Sequence, residues 1–241
     1  MEESAINVLK RAVVLDQERR FDQAIVCYEE GIGLLLKALK GFSSNVKKEK
    51  YRAKINEYMG RAEKLKQAMK KLKDAEKFNK VIQIEENTIG HNYSTIFSDL
   101  LDITLTEVEI DDPYIRSNHQ IINFIRFCEL LHKSDANVKK IILNTSCEND
   151  ENKKCQQKQA FSAMCDNFKG NNIELEVSYS KTLHDREIRF NNGWIVKIGR
   201  GLDYFKNVPK FSLGFYDYDL RPCHETTINI FHAKHVKEAD G

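Results

Sequence analysis

Proline is absent before Pro113, and apolar residues recur at helical spacing in the first third of the chain. The most regular run alternates steps of four and three residues: Tyr51, Ile55, Tyr58, Ala62, Leu65, Met69 and Leu72. Such spacing puts every member on one face of an α-helix, where it packs against a neighbouring helix. Two shorter amphipathic stretches precede it, from Ser4 to about Asp16 and from Asp22 to Gly41. The sequence therefore predicts an antiparallel three-helix bundle over residues 1–80.

Beyond residue 80 the composition shifts toward β-branched and aromatic residues, with proline and glycine between the apolar segments. Strands are predicted at 103–110, 138–145 and 173–180, helices at 118–132 and 152–169, a hairpin at 187–198 and a last helix at 225–235. The hairpin turns at Asn191-Asn192-Gly193, where asparagine and glycine accept positive φ. Alternating strands and helices predict an α/β domain over residues 81–241, with helices on both faces of its sheet.

The composition is typical of a globular protein, since 41% of the 241 residues are hydrophobic and 31% are charged. No apolar run reaches the roughly 20 residues that cross a bilayer, and the N-terminus lacks the features of a signal peptide. The six cysteines form no C-x2-C pair, which fits reduced thiols. We therefore expect a cytoplasmic protein that touches membranes only peripherally. His232 and His235 lack further partners at ligand spacing, so neither a metal nor another cofactor is expected.

Charge is divided unevenly along the chain. Residues 1–80 contain 19 lysines and arginines against 12 acidic residues, a net of +7, so the remainder carries −5 of the total of +2. A basic helical domain favours an acidic partner, although a lysine-rich solvated helix face would show the same count. The negative charge of the second domain argues against an extended nucleic-acid footprint, so no nucleic acid is expected as a partner.

Two segments of the helical domain carry a family resemblance. They are Ala24-Ile25-Val26-Cys27-Tyr28-Glu29-Glu30-Gly31-Ile32 and Tyr58-Met59-Gly60-Arg61-Ala62-Glu63-Lys64-Leu65-Lys66. Together with the lengths of the helices, they resemble the MIT (microtubule interacting and transport) domain. The resemblance implies that this domain binds short C-terminal helices of ESCRT-III subunits, the charged multivesicular body proteins.

The third helix offers two residues for such a partner. Met59 stands one residue off the buried seam, and Glu63 lies one turn further along the same edge. We expect them to form one wall of a groove between the second and third helices, into which an amphipathic helix binds. Cys27 and Leu34 are the candidates for the opposite wall. The alternative is that Met59 belongs to ordinary packing at the rim of the bundle.

The second domain also carries a family resemblance. Its segments are His184-Asp185-Arg186-Glu187-Ile188-Arg189-Phe190-Asn191-Asn192-Gly193-Trp194, Gly199-Arg200-Gly201-Leu202-Asp203-Tyr204-Phe205, Asp112-Pro113-Tyr114-Ile115 and Arg221-Pro222-Cys223-His224-Glu225-Thr226. They resemble the phospholipase D-like domain that follows an MIT domain in one protein family. The resemblance implies a phospholipase D fold, a homodimer and phosphoinositide membrane binding. It also implies recruitment by ESCRT-III in cytokinetic abscission, at the midbody, and a place at late endosome membranes.

Catalysis in that superfamily depends on the motif H-x-K-x4-D, in which histidine attacks phosphorus, lysine neutralises phosphate and aspartate orients the site. The aligned residues here are His184, Arg186 and Asn191, and the sequence holds no second copy of the motif. Because asparagine cannot stabilise a protonated histidine by charge, we expect a non-catalytic adaptor. The alternative is a phosphodiesterase or nuclease in which a homodimer pairs two copies of His184. In a third interpretation, His184 only caps the hairpin.

Residues 181–206 hold six lysines and arginines against three acidic residues, within a domain that is negative overall. This local surplus predicts a surface that contacts membrane phosphates. The candidate residues are His184, Arg186, Arg189, Lys197, Arg200 and Arg221. Since side chains alternate between the two faces of a hairpin, not all of them can converge.

Overall fold

The computed structural model describes residues 2–42, 44–75 and 79–233, without the side chains of residues 71–75. The chain divides into two compact units, Met1–Ala75 and Glu76–Gly241. The second unit thus begins before the predicted boundary at residue 80, because Asn79 and Lys80 already pair with a neighbouring strand.

The first unit consists of three helices, α1 (Glu2–Gln17), α2 (Phe21–Leu39) and α3 (Asn45–Ala75). Both α1 and α2 begin earlier than predicted, since Ser4 and Asp22 lie inside the first turn of a helix and do not cap it. The predicted seam of α3 faces its neighbours, with Ile55, Ala62 and Leu65 buried and with Tyr51, Tyr58 and Met69 half-buried. The side chain of Leu72 is not among those that the structure describes. The helical period therefore predicted the bundle correctly.

The second unit is built on one sheet of seven strands. They are β1 (Asn79–Ile84), β2 (Glu107–Asp111), β3 (Lys140–Thr145), β4 (Glu174–Tyr179), β5 (Glu187–Phe190), β6 (Trp194–Ile198) and β7 (Thr226–His232), in the order β1-β7-β6-β5-β2-β3-β4. Strands β2, β3 and β4 are parallel to one another, and the other pairings are antiparallel. Three α-helices accompany the sheet: α4 (Tyr93–Phe97), α5 (Asn118–Lys133) and α6 (Glu151–Gly170). This is the α/β domain that the sequence predicted.

The last predicted helix is wrong. Residues 226–232 form β7, which pairs with β1 on one side and β6 on the other. The segment alternates along its length: Thr226, Ile228, Ile230 and His232 are buried, and the residues between them are half-buried. That period of two is the pattern of a strand with one covered face. The end of the predicted helix, at residues 234 and 235, lies outside the described residues.

The sheet is covered on one face only in the part of the chain that the structure describes, which corrects the expectation of helices on both faces. One alternate set of strand residues is buried, among them Ile110, Ile141 and Val196. The other set, which includes Glu109, Ile142 and Lys197, is half-buried or exposed. The reason is that crossover helices connect the parallel strands β2, β3 and β4, whereas β5, β6 and β7 join without a crossover helix.

The topology brings several distant segments to one edge of the sheet. Asp111 at the end of β2 pairs with Asn144 near the end of β3 and with Glu187 at the start of β5. Glu187 in turn pairs with Lys197 near the end of β6. The connection that follows β2 therefore meets both ends of the connection between β6 and β7 at this edge.

None of the described helices combines the length and the apolarity that a helix needs to cross a membrane.

Candidate functional site

The MIT-like signature on α3 separates into buried and exposed positions. Ala62 and Leu65 are buried in the bundle, and the Tyr58 ring lies 5.8 Å from the ring of Tyr28. Met59, by contrast, is 51% exposed, and Glu63 is exposed as well. Packing in the bundle therefore does not account for the exposed positions of Met59 and Glu63.

Arg61, the charged residue of the signature, joins α3 to the end of α1. Its Nε and one terminal nitrogen each donate a hydrogen bond to the Asp16 carboxylate over 2.8 Å. The Tyr28 hydroxyl donates to the same carboxylate over 3.1 Å. The hydrogen bond with Asp16 raises the pKa of Arg61. Arg61 is thus a structural residue that fixes the helix carrying Met59.

The edge of α2 that faces α3 is marked by the ion pair between Glu29 and Lys66. At 3.6 residues per turn, Ile25, Ile32 and Leu36 share that edge with Glu29. Ile32 is buried, whereas Leu36 is 48% exposed. Leu36 is therefore an exposed apolar residue on the edge of α2 that faces α3.

Cys27 and Leu34 lie on the other edge of α2, which corrects their predicted position. Both share an edge with Gly31, which lies four residues after Cys27 and three before Leu34. Gly31 packs against α1 so closely that a Cβ there would lie 2.6 Å from Cγ of Leu9. Cys27 and Leu34 hence face α1, and they do not form the wall opposite Met59. The sequence showed their spacing but not the direction of the neighbouring helix.

The three residues aligned with the phospholipase D motif do not converge. His184 is exposed, and its ring makes no hydrogen bond or ion pair with any described residue, which also argues against a capping role. The Arg186 guanidinium lies 4.1 Å above the Tyr114 ring and donates to the carbonyl oxygen of Gly199. Asn191 sits in the turn at the far end of β5, where it accepts a hydrogen bond from the Thr106 N–H over 3.0 Å.

Arg189 and Lys197 lie on the open face of the sheet, among acidic residues. Arg189 forms ion pairs with Glu109 at 3.2 Å, with Asp111 at 2.6 Å and with Glu187 at 2.7 Å. Lys197 pairs with Glu187 at 3.1 Å. Burial alone would lower the pKa of Arg189, but the carboxylates outweigh it and raise that pKa. Both cations are neutralised by their neighbours, so the structure does not join them to a phosphate site.

Arg200 and Arg221 do converge. They line one pocket of about 580 Å³ at the edge of the sheet described above. The other basic residues of this pocket are Arg126, Lys206, His119 and His224. We call it the arginine cleft, after Arg126, Arg200 and Arg221. The prediction missed Arg126, Lys206, His119 and His224 as members, because only the tertiary fold brings these distant segments together.

Two of the arginines are held by an aromatic ring. The Tyr218 ring has the guanidinium of Arg126 at 3.4 Å and that of Arg221 at 3.8 Å from its centroid. Burial lowers the pKa of Arg221, and the charge of Arg126 lowers it further. Within the described residues, neither of them nor Arg200 forms a salt bridge with a carboxylate. Two like charges are thus kept close together, with no carboxylate counterion in the part of the chain that the structure describes.

The single carboxylate among the residues lining the cleft, that of Asp203, is already engaged. It accepts hydrogen bonds from Gln120 over 3.1 Å and from Asn123 over 2.9 Å, and it lies 3.2 Å from Nε2 of His119. Lys206 is paired with Glu86. Among the described residues, the cleft's positive charge that lacks a carboxylate partner therefore belongs to the three arginines, whose planar groups suit phosphate oxygens. Each of them donates to a backbone carbonyl oxygen, Arg126 to that of Tyr216, Arg200 to that of Glu225 and Arg221 to that of Gly214.

A buried carboxylate supports the loop that carries Arg200. Asp112 accepts hydrogen bonds from the Tyr114 N–H over 2.9 Å and from the Leu202 N–H over 3.3 Å. Burial raises the pKa of Asp112 to about 6. Gly201 has φ of +61°, and a Cβ there would lie 1.9 Å from Oδ2 of Asp112. Asp112 and Gly201 belong to the segments that carry the family resemblance. These segments therefore support the loop that carries Arg200.

Comparisons with known proteins agree with this architecture. Residues 2–67 match the MIT (microtubule interacting and transport) domain, and residues 90–232 match the phospholipase D-like domain at the C-terminus of MIT. MIT domain-containing protein 1 of Mus musculus is 50% identical over 236 residues, which cover 98% of this chain and 94% of the mouse protein.

Proposed function

Since the chain belongs to the family of MIT proteins with a C-terminal phospholipase D-like domain, we propose that it is a non-catalytic adaptor between ESCRT-III subunits and phosphoinositide membranes. The helical unit binds the C-terminal helices of those subunits, and the second unit binds membrane phosphates through the arginine cleft. The protein acts in cytokinetic abscission, as a peripheral membrane protein at the midbody and on late endosomes.

The exposed apolar residues of the first unit support the partner site. Met59 on α3 and Leu36 on α2 flank the helix pair that Glu29 and Lys66 join. An amphipathic helix docks in such a place by inserting its apolar anchors, while charged residues at the rim fix its register. Glu63 supplies that rim charge, and the flexible Met59 side chain adapts to different anchors.

Titration calorimetry of the full chain with ESCRT-III C-terminal peptides tests this half. We expect micromolar binding, about −8 kcal/mol. Both Met59→Asp and Glu63→Lys should weaken it at least ~10-fold, because each places charge against the anchors or reverses the rim. The matched control is Val26→Asp, since Val26 is 61% exposed and lies off the groove edge of α2. Unchanged affinity in the Met59 and Glu63 variants would show that the partner binds elsewhere.

One observation supports the proposed binding of membrane phosphates by the second unit. Three arginines line one cleft without a carboxylate partner among the described residues. Gathering like charges raises the free energy of the empty site, and an anion offsets that cost by pairing with the guanidinium groups. A phosphate group presents several acceptor oxygens to such donors. The cleft is therefore a better phosphate site than the whole set of cations expected from the sequence.

Binding of inositol hexakisphosphate to the full chain tests the cleft. We expect Arg126→Gln and Arg200→Gln each to weaken it about 5- to 30-fold, as for the loss of one charge-assisted contact of roughly 1–2 kcal/mol. Arg189→Gln is the matched control, because it removes an arginine already paired with three carboxylates. If Arg189→Gln alone weakens binding, the open sheet face is the phosphate site and the cleft is not.

A specific observation keeps the phosphodiesterase as a second candidate. His119 and His224 share the cleft with its cations, and an enzyme of this superfamily needs two histidines at one site, a nucleophile and an acid. Turnover of bis-para-nitrophenyl phosphate that disappears in both His119→Ala and His224→Ala would favour this candidate. Absence of turnover in the wild-type protein, with phosphate binding retained, is what the adaptor proposal expects.

The proposal includes a homodimer, which rests on the family relationship. Two grooves and two clefts in one assembly raise the effective concentration of each site near its ligand. Light scattering coupled to size exclusion measures the mass, and a monomer at micromolar concentration would contradict this part alone.

A further inference from the structure

The segment between β6 and β7 contains an apolar loop, residues 207–216. Phe211 is 96% exposed, Leu213 is 82% exposed and Tyr216 is 80% exposed. Scattered single apolar residues are normal on protein surfaces, whereas three large ones within six positions of one loop are not. The loop therefore presents a local apolar surface to its surroundings.

This loop has a defined backbone. The Ser212 N–H donates to the carbonyl oxygen of Pro209 over 3.2 Å, and the Phe215 N–H donates to that of Ser212 over 3.3 Å. At its end, Nε of Arg221 donates to the Gly214 carbonyl oxygen over 2.6 Å, where Gly214 has φ of +84°. The apolar side chains are thus held outward on an ordered turn, so binding needs less loss of chain entropy.

The apolar loop adjoins the arginine cleft and shares its charge. Phe215 and Tyr216 line the cleft, and Arg126 donates to the Tyr216 carbonyl oxygen over 3.2 Å. Lys206 and Lys210 both precede the exposed apolar residues in the chain, and the nearest acidic residues in the sequence are Asp203 and Asp217. Apolar residues beside cations match the boundary between acyl chains and anionic headgroups.

The size of the loop favours a bilayer over a protein partner. A stable protein interface buries about 800 Å² on each side and involves about 20 residues. The exposed apolar surface here consists of a few side chains on one turn, which is far less. A bilayer accepts such a small group, because it surrounds any side chain that enters it.

We propose that the apolar loop inserts Phe211 and Leu213 into an anionic bilayer, while the arginine cleft holds the phosphate of a lipid headgroup. This inference rests on the proposed membrane function and adds the element that enters the lipid. Tyr216 stays at the level of the headgroups, where its hydroxyl reaches water.

Fluorescence of Phe211→Trp in the full chain tests insertion directly. The native protein has one tryptophan, Trp194, which is buried, so changes on adding lipid report the new residue. The probes are phosphatidylcholine vesicles with and without phosphatidylserine and a phosphoinositide. With the anionic vesicles we expect a blue shift and quenching by brominated acyl chains. Unshifted emission from protein that cosediments with the vesicles would overturn the proposed insertion. It would not contradict phosphate binding by the cleft.

A double variant separates the loop from the cleft. We expect Phe211→Ser with Leu213→Ser to weaken vesicle binding about 10- to 100-fold, as for two apolar groups withdrawn from lipid. Its affinity for inositol hexakisphosphate should stay within about 2-fold of wild type. Val81→Ser is the matched control, since Val81 is 61% exposed on β1 in the same unit.

The remaining outcomes also decide the question. Equal vesicle binding by the double variant and wild type would overturn the inference, and so would a change in oligomeric state caused by the double variant. Wild-type protein that binds inositol hexakisphosphate but no vesicles would restrict the cleft to free phosphates and reject insertion. Binding of neither probe would reject the proposed membrane function itself, and the inference with it.

Discussion

Replacing Asp112 with asparagine removes a buried charge beneath the arginine cleft. Burial raises the pKa of Asp112 from 3.8 to about 6. At about 1.36 kcal/mol per pKa unit, that rise corresponds to about 3 kcal/mol of unfavourable free energy for the ionised form. Between pH 4 and 6 the folded protein binds more protons at this site than the unfolded chain. The contribution of Asp112 to the free energy of unfolding therefore falls as pH rises through this window and is constant above it.

Asparagine cannot ionise, but it introduces a cost of its own. Asp112 accepts from two backbone N–H groups, those of Tyr114 and Leu202, and the asparagine amide nitrogen would face one of them. The lost acceptor costs roughly 1–3 kcal/mol at every pH. We therefore expect wild type to exceed Asp112→Asn in stability near pH 4. Its advantage should shrink by about 3 kcal/mol by pH 7, where the variant becomes as stable as wild type or up to about 2 kcal/mol more stable.

Urea unfolding across pH 4 to 7 measures this difference. Fluorescence of Trp194, which lies in β6, follows the second unit separately from the helical unit. Asp185→Asn is the control, since it makes the same substitution at an exposed position of the same unit. The same pH dependence for Asp112→Asn and for this control would mean that burial does not affect the ionisation of Asp112, and would refute the argument from burial.

Three further substitutions are predicted from the same contacts. Gly201→Ala should lower the free energy of unfolding by about 2 kcal/mol or more and abolish inositol hexakisphosphate binding, because it places a Cβ at positive φ against Asp112; wild-type binding would contradict this. Arg61→Gln should cost about 1–3 kcal/mol in urea unfolding followed by circular dichroism, since it breaks a partly exposed, two-bond pair with Asp16. His184→Ala should leave the free energy of unfolding unchanged and should change the phosphate affinity by less than about 2-fold. A larger loss of affinity would return His184 to the phosphate site.

The helical unit was predictable because its signal is local. The alternating steps along α3 put Ile55, Ala62 and Leu65 on one face whatever the neighbouring helices do. The groove was less predictable, since it depends on which edge of α2 faces α3. Cys27 and Leu34 had suitable spacing, but the contact of Gly31 with α1 decided their direction. Spacing thus finds an edge of a helix, and only packing says what that edge meets.

The phosphate site shows the same limit in a sheet. Arg189 and Arg200 look alike in the sequence, as basic residues in one polar stretch. Arg189 is neutralised because β5 pairs with β2, which places Glu109 and Asp111 beside it. Arg200 lies away from these carboxylates, because it follows the end of β6. Counting charges along the chain therefore included Arg189, whose charge is neutralised in the fold. It could not find Arg126 on α5, which reaches the cleft only through the fold.

The three proposed contacts are individually weak, and their value comes from being in one chain. A micromolar partner helix contributes about −8 kcal/mol, salt screens each exposed cation of the cleft, and the loop inserts only two apolar side chains. Once one site is occupied, the others bind at a local concentration in the millimolar range. We expect vesicles that carry both an anionic lipid and a tethered ESCRT-III peptide to retain the full chain longer than either ligand alone. Met59→Asp and the double variant at Phe211 and Leu213 should each shorten that residence toward the value for the other ligand alone. Purely additive binding would contradict the coupling.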